Sequence, residues 1–245
     1  MAVAAHVEAG DLLAERVFSA RHLGDSKALN RVRSQLERLL GPLASLGIRE
    51  GAAITLAGGY GRLPVGDQDI NLQRVLPFIG LARESWLALE SIDFPPKGLV
   101  VVENLATFEA CCRQEVSALK DTMIVWSSGY PGRNVRAVVE AAVSAQARIR
   151  IWADLDLDGI RIARLISTWA FGRAEPVYMS PDDVANAQIT RPLGRRARLA
   201  VEADLSEHPK AFLSETLRAI LQHDAWVEQE TFLGNTTDDV HTANP

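Results

Sequence analysis

Hydrophobic and polar positions along this chain fall into two regimes. Up to about residue 95, regular periodicity is confined to one segment. Residues 26–42 (SKALNRVRSQLERLLGP) place Leu29, Val32, Leu36, Leu39 and Leu40 at helical spacing, and Gly41-Pro42 closes the run. Ser26 stands where a serine caps a helix. Residues 47–75 are irregular, with Gly58, Gly59 and Gly61 near a hairpin (AAITLAGGYGRLPV). These glycines do not make a phosphate loop, because Pro64 stands where the third glycine of GxGxxG belongs.

From about residue 98 the pattern becomes regular. Gly98–Val102 is a short apolar run, a candidate buried strand, and Met123–Trp126, Arg148–Ala153 and Pro176–Met179 are further candidate strands. Between them, Leu105–Arg113, Asn134–Ala147 and Ile160–Ala170 carry helical spacing, clearest in Val135, Val138, Val139, Ala142 and Val143. Strands alternating with helices predict βαβ units and a parallel sheet. Residues 206–222 and 225–232 are expected to be terminal helices, and the polar tail GNTTDDVHTANP is expected to be disordered. The expected organisation is a mixed N-terminal region over residues 1–95, an α/β domain over 96–233, and the tail over 234–245.

Composition narrows the class. The chain has 245 residues, 47% of them apolar and 23% charged, which suits a globular protein with a substantial core. No apolar run reaches the roughly 18 residues of a membrane span, and the start of the chain lacks the basic region of a signal peptide. Cys111 and Cys112 are adjacent and have no His or Cys at metal spacing, so they are expected to be buried thiols in a reducing, cytoplasmic compartment. The net charge of −5 argues against a generally basic nucleic-acid binder. Residues 186–198 (NAQITRPLGRRAR) nevertheless hold Arg191, Arg195, Arg196 and Arg198 without an acid, which suits either a phosphate contact or a solvated loop.

The carboxylates carry the chemistry. In a parallel α/β sheet, ligands bind at the carboxyl ends of the strands. The run LVVV leads into Glu103, and RIRIWA leads into Asp154-Leu155-Asp156-Leu157-Asp158-Gly159. Acids crowded at strand ends repel one another unless a cation joins them, and hard oxygen ligands suit Mg2+ or Mn2+. Strand geometry continued through Asp154 and Asp156 turns both the same way, with Leu155 facing the core. An EF-hand loop fits poorly, because its twelfth position is Leu165 rather than an acid. Phosphatases of the haloacid-dehalogenase type place their DxD on the first strand, whereas this one comes late. Helix capping needs one acid rather than three, and Asp158 is the best candidate for that role.

Glutamate after one strand, a glycine turn after the next and DxD after a third resemble the Toprim fold of topoisomerases, primases and several nucleases. More closely, the chain resembles the JetD family, the nuclease subunits of Wadjet plasmid-defence systems. The resemblance rests on Gly24-Asp25-Ser26-Lys27, Val102-Glu103-Asn104, Ser128-Gly129-Tyr130-Pro131 and Trp152-Ala153-Asp154-Leu155-Asp156, with Val227-Glu228-Gln229-Glu230 as a weaker fifth stretch. It covers about residues 15–235. Ala153 replaces a glycine of the family pattern, and the segment before residue 95 resembles at most a remnant of the family's DNA-binding region.

The resemblance implies a Toprim-type parallel sheet flanked by helices, with a small N-terminal region and C-terminal helices. It implies a metal-dependent DNA endonuclease that hydrolyses phosphodiester bonds, with Glu103, Asp154 and Asp156 as catalytic groups and metal ligands. Asp158 is a candidate for a further metal contact, and Lys27, Arg191, Arg195 and Arg196 for contacts to DNA. Implied partners are DNA, an SMC-like ATPase complex and a second copy in a homodimer. Tyr60, Tyr130 and Tyr178 sit in no convincing winged helix, so hydrolysis by water is expected rather than transesterification. The competing expectation is an inactive Toprim module that binds DNA or an SMC-like complex without cutting.

Overall fold

The computed structural model describes residue 6 and residues 13–41, 43–46, 48–49, 54–65, 67–82, 85–86, 89 and 91–233, without the side chains of 30, 34, 44 and 49. The chain forms two compact units, Met1–Ala53 and Ile54–Pro245. The expectation of a disordered tail falls on residues outside the described set.

The first unit holds helices α1 (Glu15–Leu23) and α2 (Ala28–Leu40) around a small core of Phe18, Leu29, Leu43 and Ile48. Helix α2 lies inside the expected segment, but Ser26 does not cap it. The cap position is Lys27, and no side chain caps there. Asp25 and Ser19 serve the orphan N–H groups instead. Asp25 Oδ1 accepts from the Lys27 N–H at 2.9 Å, and Ser19 Oγ accepts from the Leu29 N–H at 3.0 Å. Helix α1 is not legible in the sequence because its residues form no apolar stripe: Phe18 and Ser19 are buried alongside Glu15.

The second unit is built on one six-stranded sheet. Its strands are β1 (Ile54–Gly59), β4 (Phe78–Ala82), β5 (Leu99–Val102), β6 (Met123–Trp126), β7 (Ile149–Trp152) and β8 (Ala174–Pro176), with β2 (Arg62–Val65) and β3 (Gln68–Asn71) forming a separate hairpin. The spatial order is β8-β7-β5-β6-β1-β4. Strands β8, β7, β5 and β6 run parallel, whereas β1 runs antiparallel to both β6 and β4. Helices α3 (Leu105–Cys112), α4 (Arg133–Ser144) and α5 (Leu157–Trp169) make the crossovers that a parallel sheet needs. All four residues of β5 and of β7 are buried, as expected of central strands covered on both faces.

The sheet begins well before residue 96, where the sequence pattern starts its α/β part. Strands β1 and β4 carry glycines, so they read as irregular. The glycines have a packing reason. A Cβ on Gly58 would lie 2.6 Å from Cys112 Sγ, which belongs to α3. Two other expectations change. The fourth parallel strand ends at Pro176 rather than beginning there. Of the helix expected over 206–222, only α8 (Ser214–His223) forms; the chain breaks around Pro209, and before it lie α6 (Pro181–Asn186) and α7 (Arg195–Glu207), neither expected from the sequence. Residues 225–232 are not an α-helix. They form strand β10 (Ala225–Trp226), paired with β9 (Arg191–Pro192), and a 3-10 turn over Gln229–Phe232.

Among the described residues, no helix is long and apolar enough to cross a membrane.

Candidate functional site

Strand register brings the acids together. Val102 of β5 lies opposite Trp152 of β7 and Trp126 of β6, so the residues that follow leave the sheet at one level. Glu103 continues the pairing: its N–H donates to the Trp152 carbonyl at 3.1 Å. The Asp154 N–H in turn donates to Glu103 Oε2 at 3.2 Å. The Trp126 indole N–H donates to the Glu103 carbonyl at 2.8 Å, tying the crest of β6 to the same point.

Asp154 and Asp156 flank Leu155, which is fully buried, as strand alternation predicts. Leu155 makes a two-way backbone bridge with Val227, with N–H to O distances of 2.9 and 3.3 Å. Asp154 Oδ1 accepts from the Gln229 N–H at 2.8 Å. Asp156 has a second task. It is the cap of α5, and its Oδ1 accepts from the Gly159 N–H at 2.7 Å. The expectation that Asp158 is the cap is therefore corrected. Asp158 sits exposed in the first turn, where its charge favours the helix dipole. It accepts from the Tyr130 hydroxyl at 3.0 Å and lies 4.0 Å from Arg161. Gly159 is required by packing, since a Cβ there would lie 2.1 Å from the Asp154 carbonyl oxygen.

Partial burial and mutual repulsion favour the protonated forms. Burial, then the charges of Asp154, Asp156 and Asp158, push the Glu103 carboxyl up to about 7, against the lowering hydrogen bond from Asp154. Burial likewise raises Asp154 to about 6, with Asp156, Glu230 and Glu228 adding repulsion. Asp156 is raised chiefly by burial. The donor set is all carboxylate, the chemistry that Mg2+ or Mn2+ prefers. As the side chains stand, no three His, Cys, Asp or Glu residues among those described are gathered into a metal cage. Each of the three acids instead accepts a backbone N–H.

The cationic candidates divide. Arg191 lies 3.2 Å from Glu228 and stacks on Trp226, with 5.5 Å to the ring centre. Arg195 and Arg196 are exposed in the first turn of α7, against its dipole. Arg198 pairs with Asp224 at 2.5 Å. Lys27 is exposed in the first unit.

Sequence reasoning gave little weight to the stretch after β10. Asn104 caps α3, accepting from the N–H groups of Ala106 and Thr107, and its own N–H donates to Gln229 Oε1 at 2.7 Å. Its side-chain amide donates to Glu230 Oε1 at 2.7 Å. The signal was present as the Glu228-Gln229-Glu230 run, but nothing in its spacing shows that it folds back onto the strand ends.

No curated protein matches the chain closely enough to count as a relative. The family model described as Wadjet protein JetD, C-terminal, matches residues 70–239, a span that contains all four clustered acids and the Gln229 segment. With that match across more than half of its length, the chain belongs to the Wadjet JetD family.

Proposed function

We propose that this chain is a divalent-metal-dependent DNA endonuclease of Wadjet plasmid defence, acting in the cytoplasm. The observation that carries this reading is the joining of Glu103 to Asp154 at the carboxyl ends of adjacent parallel strands, with Asp156 close enough to repel both. Membership of the JetD family supports the same reading. Glu103, Asp154 and Asp156 are the residues that hold Mg2+ or Mn2+, with Asp158 as a further contact at the rim. Bound there, the ion supplies positive charge to a scissile phosphate and lowers the pKa of a water molecule.

The chain's own groups supply the rest. Glu103, with a carboxyl near 7, exchanges a proton with the attacking water or the leaving oxygen at neutral pH. The Trp126 N–H on its carbonyl and the Asp154 N–H on its carboxylate fix its orientation. Arg195 and Arg196, and Lys27 from the first unit, meet the DNA backbone. Its proposed partners are DNA, an SMC-like ATPase complex and a second copy of this chain, which would bring a second site to the other strand.

Cleavage of supercoiled plasmid with Mn2+ tests the reading. Glu103→Ala and Asp154→Ala are expected to abolish it while leaving the fold intact. Parent-level cutting by either variant, with the same metal dependence, sinks the assignment. A second reading, an inactive module that binds DNA or an SMC-like complex, draws on the fact that, as the side chains stand, the described acids form no metal cage. Titration with Mn2+ separates the two, since the inactive module takes up no metal.

A further inference from the structure

The crests of β5 and β7 are held from a third direction by a segment that the proposed chemistry does not use. Gln229 is fully buried, an uncommon place for a glutamine. Its backbone N–H donates to Asp154 Oδ1 at 2.8 Å, and its side-chain carbonyl accepts from the Asn104 N–H at 2.7 Å. Asn104 directly follows Glu103. One residue therefore grips both carboxylate-bearing strand ends. The two-way bridge between Leu155 and Val227 and the Glu230–Asn104 contact brace it on either side.

Burial alone does not account for a glutamine here. Among the described residues its buried Nε2 has no hydrogen-bond partner, which costs stability. An apolar side chain of the same volume would avoid that cost. What such a side chain would lose is the acceptor for the Asn104 N–H. We propose that Gln229 is a positioning residue that sets the spacing of Glu103 from Asp154. This rests on the reading of those two carboxylates as the working groups.

The test uses the full chain. Gln229→Met keeps the volume and removes the acceptor, whereas Gln229→Glu keeps an acceptor. Amide hydrogen exchange at Asn104 and Asp154 reports the grip, since the Asp154 N–H is the one bonded to Glu103. Calorimetric titration with Mn2+, without DNA, reports the consequence. Q229M is expected to fold, to exchange faster at both amides, and to bind Mn2+ about tenfold to a hundredfold more weakly. Q229E is expected to restore protection at Asn104. Parent-like exchange in Q229M overturns the proposal, and so does faster exchange with parent-like Mn2+ affinity. Should Q229M fail to fold, a folded Q229E with an unprotected Asn104 amide overturns it. If the parent neither binds Mn2+ nor cuts DNA, the functional reading fails by itself. Positioning then stands or falls on the Asp154 amide: faster exchange in Q229M supports it, and no change overturns it.

Discussion

The backbone N–H of Asp154 donates to Glu103 Oε2 across 51 residues of sequence. The bond joins two acids that repel each other once both are ionised. It lowers the Glu103 carboxyl, but burial, with the repulsion of the neighbouring acids, outweighs it and raises the group from 4.5 to about 7. A carboxyl with a higher pKa in the folded chain binds its proton more tightly there than in the unfolded chain. Its contribution is favourable at low pH and is lost as pH rises through the window from 4.5 to about 7. Without divalent metal, the parent should therefore lose melting temperature across that window relative to Glu103→Gln, which cannot ionise. Added Mn2+ should narrow the gap, because a cation favours the charged carboxylates. Parallel curves for the two proteins would contradict this account.

Asp156 joins structure to chemistry, and Asp158 does not. The Asp156 side chain caps α5 through Gly159, whereas Asp158 is exposed and bonded to Tyr130. Asp156→Ala should cost about 1 kcal/mol of stability through the missing cap, in addition to cleavage. Asp156→Asn keeps an acceptor for the Gly159 N–H, so it should retain the stability and still lose activity. Asp158→Asn should change stability little. Denaturant unfolding beside the plasmid assay separates these outcomes.

A second charged cluster holds the α5–α7 packing. Asp204 of α7 has a side chain only 4% exposed, bonded to Arg164 at 2.5 Å and Arg161 at 3.2 Å, both on α5. Burial pushes its carboxyl up, but the two guanidinium groups outweigh it and hold the group below its ordinary range. Its contribution is present above the ordinary carboxylate range and is lost as pH falls through the lowered value. Asp204→Ala leaves the mostly enclosed Arg164 guanidinium uncompensated. It should destabilise the fold by about 3 kcal/mol, measured by urea unfolding at neutral pH.

How much of this was legible in the sequence depended on whether the information was local. Leu99–Val102 announces itself because a strand buried on both faces is an unbroken apolar run, Ile149–Trp152 does so through Ile149, Ile151 and Trp152 despite Arg150, and the acids that follow both stand out by contrast. Ile54–Gly59 and Phe78–Ala82 do not, because glycine there answers distant neighbours, Cys112 at Gly58 and Ile54 at Gly80, rather than a local rule. Helix α7 was hidden because its arginines read as a basic stretch, and the helix expected from residue 206 begins only past Pro209, at Ser214. Asp156 as a cap was obscured by Asp158, since both stand at the start of the same helix. The grip of Gln229 on Asn104 and Asp154 joins segments 125 and 75 residues apart, and no spacing rule reaches that far.

The arginines near the start of α7 give the last prediction. Arg195 and Arg196 lie in the first turn of that helix, where the dipole disfavours cations, and no acid stands in that turn. Both are exposed. Arg191 is different: it is engaged by Glu228 and Trp226, and Glu228 is one of the charges that raise Asp154. If Arg195 and Arg196 meet DNA phosphates, replacing both with alanine should weaken binding to any DNA sequence alike. It should also reduce the slope of log affinity against log salt by about 0.9 for each phosphate no longer neutralised. Arg191→Ala should change that slope less, because its charge is already matched within the chain, and its removal leaves Glu228 unpaired beside the carboxylates. Fluorescence anisotropy with a short duplex, across a salt series, measures all three proteins on one scale. An unchanged slope for the Arg195/Arg196 double variant would remove these residues from the DNA interface and leave the stretch as a solvated helix start.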